Sequence, residues 1–218
     1  MSELTGKIAV MDQLPQVEVP ARSPLYRQAG QAAAAEPAAH GVYLWEEGLR
    51  SHLIVRGDAE NQAFRDDVLK ATGMSLPTAL QSVTGGEWSM GWLAPDEWLL
   101  TGPGAQAFGM ETKLRESLSG HYSVVNVGGG QTLLRLSGPQ AVPVLMKSCS
   151  YDVHEANFPP GKIVSTVFAK SQAILRRLDA DQWELVVRRS FADYIWRWLL
   201  EAGREYGVCI GAPGESTA

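Results

Sequence analysis

Gly91-Trp92-Leu93-Ala94-Pro95-Asp96-Glu97-Trp98-Leu99-Leu100 reads as two short apolar runs turned on a Pro-Asp pair, and the chain repeats the idea in Asp179-Ala180-Asp181-Gln182-Trp183-Glu184-Leu185-Val186-Val187. In both stretches a tryptophan follows the turn and opens an apolar strand. Trp183 lies 85 residues after Trp98, and Gly138 lies 81 residues after Gly57. Two markers at nearly one offset predict two copies of one supersecondary unit.

Working outward from the first hairpin, Ser51–Arg56 is an apolar strand that hands over at Gly57 to a helix across Asn61–Ala71. Asp58 is placed to cap that helix, Phe64, Val68 and Ala71 share one side of it, and Gly73 stops it. Trp88–Leu93 and Glu97–Thr101 form the hairpin. A second helix carries the stripe Ala107, Met110, Leu114 and Leu118, and Tyr122–Val127 closes the unit. The order is β-α-β-β-α-β, a split βαβ pattern with helices on one face of an antiparallel sheet.

The second copy runs from Thr132–Leu136 through Gly138 into a helix at Pro139–Lys147, in which Pro143 predicts a kink or an irregular first turn. Ile163–Phe168, Gln172–Leu178 and Trp183–Arg188 are its strands. Ser190 and Asp193 suggest an N-terminal cap for a last helix, whose Phe191, Ile195, Trp198, Leu199 and Ala202 recur at helical spacing. Trp98 and Trp183 take matching packing roles. Trp92 and Trp196 are the tryptophans with a surface alternative, as contacts to another protein. The fold class expected is α+β, built of two pseudo-symmetric ferredoxin-like halves over 49–130 and 131–208.

Outside the halves, residues 1–48 carry Pro15, Pro20, Pro24 and Pro37 and the Ala-rich stretch Gln31–Ala39, which predicts an extended arm. The arm lies on a partner or frays as an end. Residues 209–218 read as a C-terminal tail.

With 218 residues, 45% of them hydrophobic, the chain is long enough for a substantial core. A net charge of -5 gives no general attraction to nucleic acid or to an anionic membrane. The N-terminus has no basic segment leading an apolar run, and no stretch approaches a membrane span, so a cytoplasmic protein is expected. Cys149 and Cys209 carry no pattern that argues for a disulfide.

The search for reactive groups ends without a site. His40, His52, His121 and His154 show no metal-ligand spacing. Cys149, Asp152, His154 and Glu155 are sequence neighbours in a loop, but a nucleophile needs a positioned base and an orienting group. Gly128-Gly129-Gly130 precedes a strand, so no helix N-terminus waits to receive a phosphate; a turn joining the halves is the reading. Arg56-Gly57-Asp58 marks a strand-to-helix handover. Arg176-Arg177 and Arg188-Arg189 split between the faces of their strands and read as surface arginines. No catalytic, cofactor-binding or metal-binding residue is assigned.

The stretch Gly91–Leu100, together with Gly128–Gly138, Ser150-Tyr151-Asp152-Val153 and Phe158-Pro159-Pro160-Gly161-Lys162, resembles the gamma-subunit family of heterotetrameric sarcosine oxidases over most of residues 20–208. A looser pattern, Leu134-Arg135-Leu136-Ser137-Gly138-Pro139-Gln140-Ala141 with Thr166 beyond it, is similar to the folate-dependent aminomethyltransferases and their folate-binding domains. The resemblance implies a complex that oxidatively demethylates sarcosine to glycine. Oxygen is reduced to hydrogen peroxide, and the methyl carbon leaves as formaldehyde or 5,10-methylenetetrahydrofolate. It further implies a flavoprotein complex with FAD, FMN, NAD, zinc and tetrahydrofolate in alpha, beta and delta partner subunits and none in this chain. The large alpha subunit is the main neighbour. The implied role is a noncatalytic subunit that stabilises the assembly. The alternative is an aminomethyltransferase-like protein with its own tetrahydrofolate pocket between the halves, although Asp152-Val153-His154-Glu155 departs from what a pterin site needs.

Overall fold

The computed structural model describes residues 21–29 and 40–212. Residues 1–20, 30–39 and 213–218, which include the Ala-rich stretch and most of the expected arm and tail, lie outside the described residues. A single helical turn α1 (Tyr26–Ala29) comes first, followed by strands β1 (Val42–Glu47) and β2 (Arg50–Gly57) and helix α2 (Gln62–Thr72). Strands β3 (Ser82–Gly85), β4 (Trp88–Ala94) and β5 (Glu97–Pro103), helix α3 (Ala107–Ser117) and strand β6 (Tyr122–Asn126) complete the first half. The second half has β7 (Gln131–Ser137), α4 (Ala141–Ser148), β8 (Ile163–Phe168), β9 (Ser171–Asp179), β10 (Gln182–Arg188), α5 (Ala192–Gly203) and β11 (Val208–Ile210).

These strands form two sheets, β3-β4-β5-β2-β6 and β11-β1-β7-β10-β9-β8. Each is an α+β layer with its helices on one side, and the doubling is visible in the register. Trp98 sits opposite Val55 on β2, and Trp183 opposite Leu136 on β7. The amide of Gly57 donates to the Asp96 carbonyl at 3.1 Å, and that of Gly138 to the Asp181 carbonyl at 3.1 Å. Glycine is required at these twin positions for different reasons. A Cβ on Gly57 would fall 2.4 Å from the Phe64 ring, whereas Gly138 has a φ of 106° and its Cβ would meet the Gly41 carbonyl oxygen at 2.6 Å.

Each half has its own core on the helix side. Leu53, Val55, Phe64, Val68, Trp98, Leu100 and Leu114 fill the first. Leu134, Leu136, Val144, Leu145, Phe158, Trp183, Leu185, Ile195 and Trp196 belong to the second. Trp196 therefore faces the core, and Trp92 packs partly buried against the first core.

Several boundaries differ from the sequence reading. The segment assigned to the arm contains β1, an interior strand antiparallel to β7 and parallel to β11. Apolar alternation in Val42-Tyr43-Leu44-Trp45, bounded by Gly41 and Gly48, outweighs the prolines upstream. β1 fills beside β7 the place that β6 fills beside β2. β11 begins at Val208, so Cys209 and Ile210 pair with Tyr43 and Leu44 and are not tail. The α2 cap is Asn61, whose side chain accepts from the Ala63 amide, while Asp58 accepts from Glu60 one turn earlier. α5 has no side-chain cap: a 3₁₀ turn at Arg189–Phe191 leads into it, and Asp193 instead accepts from Gln28 at 2.8 Å. Pro143 is the third residue of α4, where its missing N–H is one of the four that a helix leaves unpaired.

Candidate functional site

Strand alternation leaves each sheet one face without helices, and these two faces pack on each other. Leu99, Leu133 and Val186 form the buried centre, with Ile54, Leu93 and Ile174 around it. The inner face of each sheet is built of cross-strand rows. In the first half the rows are Ile54–Leu99–Gly91 and His52–Thr101–Ser89. The twin rows of the second half are Arg135–Glu184–Arg176 and Leu133–Val186–Ile174.

The second half's charged row is an ion chain. Arg135 Nη2 meets Glu184 at 2.7 Å, Arg176 Nε meets the other Glu184 oxygen at 2.5 Å, and Arg135 Nε donates to Glu47 at 2.8 Å. Burial pulls the Arg176 guanidinium below its usual pKa, and the Glu184 carboxylate opposes that shift. Two glutamates balance two arginines, so desolvation is offset internally. The facing Ser89 and Thr101 hydroxyls share a hydrogen bond of 2.7 Å. His52 is 1% exposed, neither ring nitrogen has a hydrogen-bond partner among the described residues, and burial holds its pKa down at about 4.

The packing is wedge-shaped. Around Ser89, Thr101, Arg176 and Glu184 the residual void is about 10 Å³. Backbone bonds tie the sheets near that end: Ser82 N donates to Gly161 O at 2.8 Å and Ile163 N to Leu80 O at 3.0 Å. Ile163 also sits where a side chain on Gly91 would go, its Cδ1 lying 2.3 Å from an ideal Cβ there. Towards Thr166 and Val167 the sheets diverge into an open cleft of about 470 Å³, walled by Ile54, Leu93, Ile174 and Val186 and rimmed by Gln131, Gln172 and Arg188. A shallower depression continues past Val167 to Lys170 and Phe191.

The residues singled out in the sequence do not converge here. Cys149 is half-buried, burial raises its thiol pKa, and its Sγ lies 3.5 Å from the Leu145 carbonyl. Asp152 accepts from the His154 amide and from the Asn157 side chain, and those hydrogen bonds lower its carboxyl pKa. His154 Nδ1 accepts from the Ala156 amide. This loop is organised by its own turns, and among the described residues no three His, Cys, Asp or Glu side chains are grouped as metal ligands. Gly128–Gly130 form a 3₁₀ turn between the halves. Arg56 pairs with Asp96 at 2.8 Å on the exposed first hairpin.

Arg176 and Arg177 contradict the surface reading. They do take opposite faces, but both are buried. Arg177 donates to the carbonyls of Phe158, Ala180 and Asp179 at 2.8, 2.7 and 3.1 Å and lies over the Trp183 ring. Three donors held by fixed acceptors make it the clasp between the second hairpin and the 149–162 loop. The ion chain had a sequence signal, charged residues inside the apolar runs Leu133–Leu136 and Trp183–Val187, but Arg135 and Glu47 lie far along the chain from the Arg176–Glu184 hairpin pair they complete.

Comparison with known proteins places this geometry. The profile of the sarcosine oxidase, gamma subunit family matches residues 56–205. The sarcosine oxidase subunit gamma of Corynebacterium sp. (strain U-96) is 30% identical over 195 residues, covering 86% of this chain and 92% of its own. That of an Arthrobacter species is 30% identical over 188 residues, covering 85% and 91%. In solved structures, a chain of the heterotetrameric sarcosine oxidase from Corynebacterium sp. U-96, in complex with pyrrole 2-carboxylate, superposes with a TM-score of 0.78 at 29% identity, covering 88% of this chain and 99% of that one. The glycine cleavage system aminomethyltransferase T from Bartonella henselae shares the fold, with a TM-score of 0.62 at 18% identity over 86% of this chain and 58% of that one. A profile match across most of both halves, with near-complete coverage of the relatives, decides the affiliation: this chain belongs to the sarcosine oxidase gamma subunit family.

Proposed function

We propose that the chain is a noncatalytic gamma subunit of a heterotetrameric sarcosine oxidase and acts by stabilising the assembly. The observation that carries this reading is the end-to-end likeness to one chain of such a heterotetramer. The complex takes sarcosine to glycine, oxygen to hydrogen peroxide, and the methyl carbon to formaldehyde or, with tetrahydrofolate, to 5,10-methylenetetrahydrofolate. FAD, FMN, NAD, zinc and tetrahydrofolate reside in the alpha, beta and delta partners, the large alpha subunit is the main neighbour, and the assembly works in the cytoplasm. Among the described residues no helix is long and apolar enough to cross a membrane.

The internal chemistry supports a structural role. The charged groups of the inner faces neutralise one another, and the Cys149–Glu155 loop uses its polar atoms to hold its own shape. The aminomethyltransferase-like alternative draws on the cleft between the halves, but the chain spans only 58% of that neighbour's length, and at 18% identity the likeness is one of fold.

Copurification tests the proposal. A tag on this chain, expressed with the other three subunits, should recover all four in fixed proportion with sarcosine-dependent peroxide production. Recovery of this chain alone would overturn it. Titration calorimetry of the isolated chain with tetrahydrofolate should show no binding at about millimolar ligand, a bound set by ordinary weak-site affinities.

A further inference from the structure

The open end of the wedge has three features in one place that point to a single kind of occupant. The first is an unfinished strand edge. β8 is the last strand of its sheet, and its pairing with β9 turns the backbone groups of odd-numbered residues outward. Ile163 uses its outward N–H on Leu80, and Ala169, just past the strand, uses its own on Ser148 at 2.6 Å. Ser165 and Val167, between them, are exposed, and among the described residues their amides have no backbone acceptor. A strand edge of that kind takes another extended backbone.

The second feature is apolar. Val167 is 56% exposed and Phe191 is 42% exposed, and they flank the depression that continues from the cleft walls Ile174 and Val186. The third is charge. Lys170 and Arg188 line this depression, and Arg189 follows next in the chain with its Nη2 donating to the Arg22 carbonyl at 3.0 Å; all three are exposed, and none has a carboxylate within ion-pair distance among the described residues. Glu97, the acidic group on the opposite wall, is engaged by Arg56 at 3.5 Å. On a chain of net charge -5, three cations without carboxylate partners around an apolar strand edge are a local reversal of sign.

We propose that this end of the wedge is the seat of an extended, acidic segment of a partner chain, which adds to the edge of β8 at Ser165 and Val167. Its backbone completes the ladder, alternate apolar side chains cover Val167, Phe191 and the cleft wall, and its carboxylates meet Lys170, Arg188 and Arg189. The added strand spans about three residues, because the contacts at Leu80 and Ser148 close the edge on either side. The proposal rests on the reading of this chain as a subunit of a complex and names the surface that the complex uses.

The test is made in the four-chain complex by tag copurification, with circular dichroism and thermal unfolding of each isolated variant. Ser165→Pro removes an outward N–H that no described residue uses, and proline is tolerated on an edge strand in that orientation. It should leave unfolding unchanged while reducing the partner chains recovered by at least about tenfold, as should K170E/R188E/R189E, for which complementary rim charges carry the encounter. Met146→Glu, on the exposed side of α4 away from the wedge, should assemble as wild type. A photo-crosslinker at position 167 should capture an acidic segment of a partner chain. Normal recovery with both wedge variants, or capture of a basic segment, a partner helix or a second copy of this chain, would overturn the proposal. Failure of the wild-type chain to recover any partner would instead overturn the subunit reading.

Discussion

The inner faces of the two halves have opposite layouts. Where the first half has Ile54, Leu99 and Gly91, the second has Arg135, Glu184 and Arg176; where the first has His52, Thr101 and Ser89, the second has Leu133, Val186 and Ile174. Face-to-face packing of two like units repeats each contact twice. Here one repetition sets Ile54 and Leu99 against Leu133 and Val186, an apolar contact. Its mate sets Ser89 and Thr101 against Arg176 and Glu184, a polar one. A shift by one row would put the ion chain against Ile54 and Leu99. Setting a charged row against an apolar one forfeits its polar surroundings, so the swap of polarity between twin rows favours the observed register.

The largest effect that breaks this comparison comes from removing the shared carboxylate. Glu184→Ala leaves Arg135 with Glu47 alone and Arg176 with no carboxylate partner among the described residues, and should lower stability by about 3–5 kcal/mol. Urea unfolding measures it; a loss below about 1 kcal/mol would show that both arginines reach solvent. Next is the imidazole whose twin is Leu133. His52 has a folded pKa of about 4 against 6.5 unfolded, so the unfolded chain takes up the proton first as pH falls. Stability is complete above pH 6.5 and declines as pH drops towards 4, by at most about 3 kcal/mol at the limit of that shift. His52→Leu should remove this part of the acid slope and leave the carboxylate part in place, as read by unfolding midpoints from pH 7 to pH 4.

The smallest effect distinguishes the twin tryptophans. Trp98 Nε1 donates to the Pro77 carbonyl at 3.0 Å, whereas the buried Trp183 indole N–H has no acceptor among the described residues and the ring packs against Phe158 and Arg177. Trp98→Phe should therefore cost about 1 kcal/mol more than Trp183→Phe, through the stranded carbonyl. Equal losses would mean that packing alone decides both sites.

What could be read in the sequence follows the range of the forces. β8 is dense in β-branched residues, β10 carries Val186-Val187, and the repeat of turn and tryptophan marks the two halves. β3, the twin of β8, was missed because Ser82-Val83-Thr84-Gly85 is four residues long, half-exposed and ends in glycine. β1 was lost among prolines because its partners, β7 and β11, are distant in the chain. Arg176 looked like a surface residue for the same reason: its neutralising partner Glu184 sits across a hairpin, and Glu47, which completes the chain of charges, comes from another strand altogether. The cleft had no local signal, since it arises from the angle between two sheets.

The placement of β1 sets a schedule for synthesis. The first half is complete once Asn126 has emerged, and it can close on its own core. Val42–Glu47 leaves the ribosome before any of that half, yet the strand it pairs with begins at Gln131 and its outer neighbour at Val208. An apolar strand thus waits for its antiparallel partner until more than half of the protein has been made, and for its outer neighbour until nearly all of it has, and pairing across such separations is slow. Val208–Ile210 secures the outer edge of Val42–Glu47, so a chain released before Val208 would have a finished first half and a β1 open on one side.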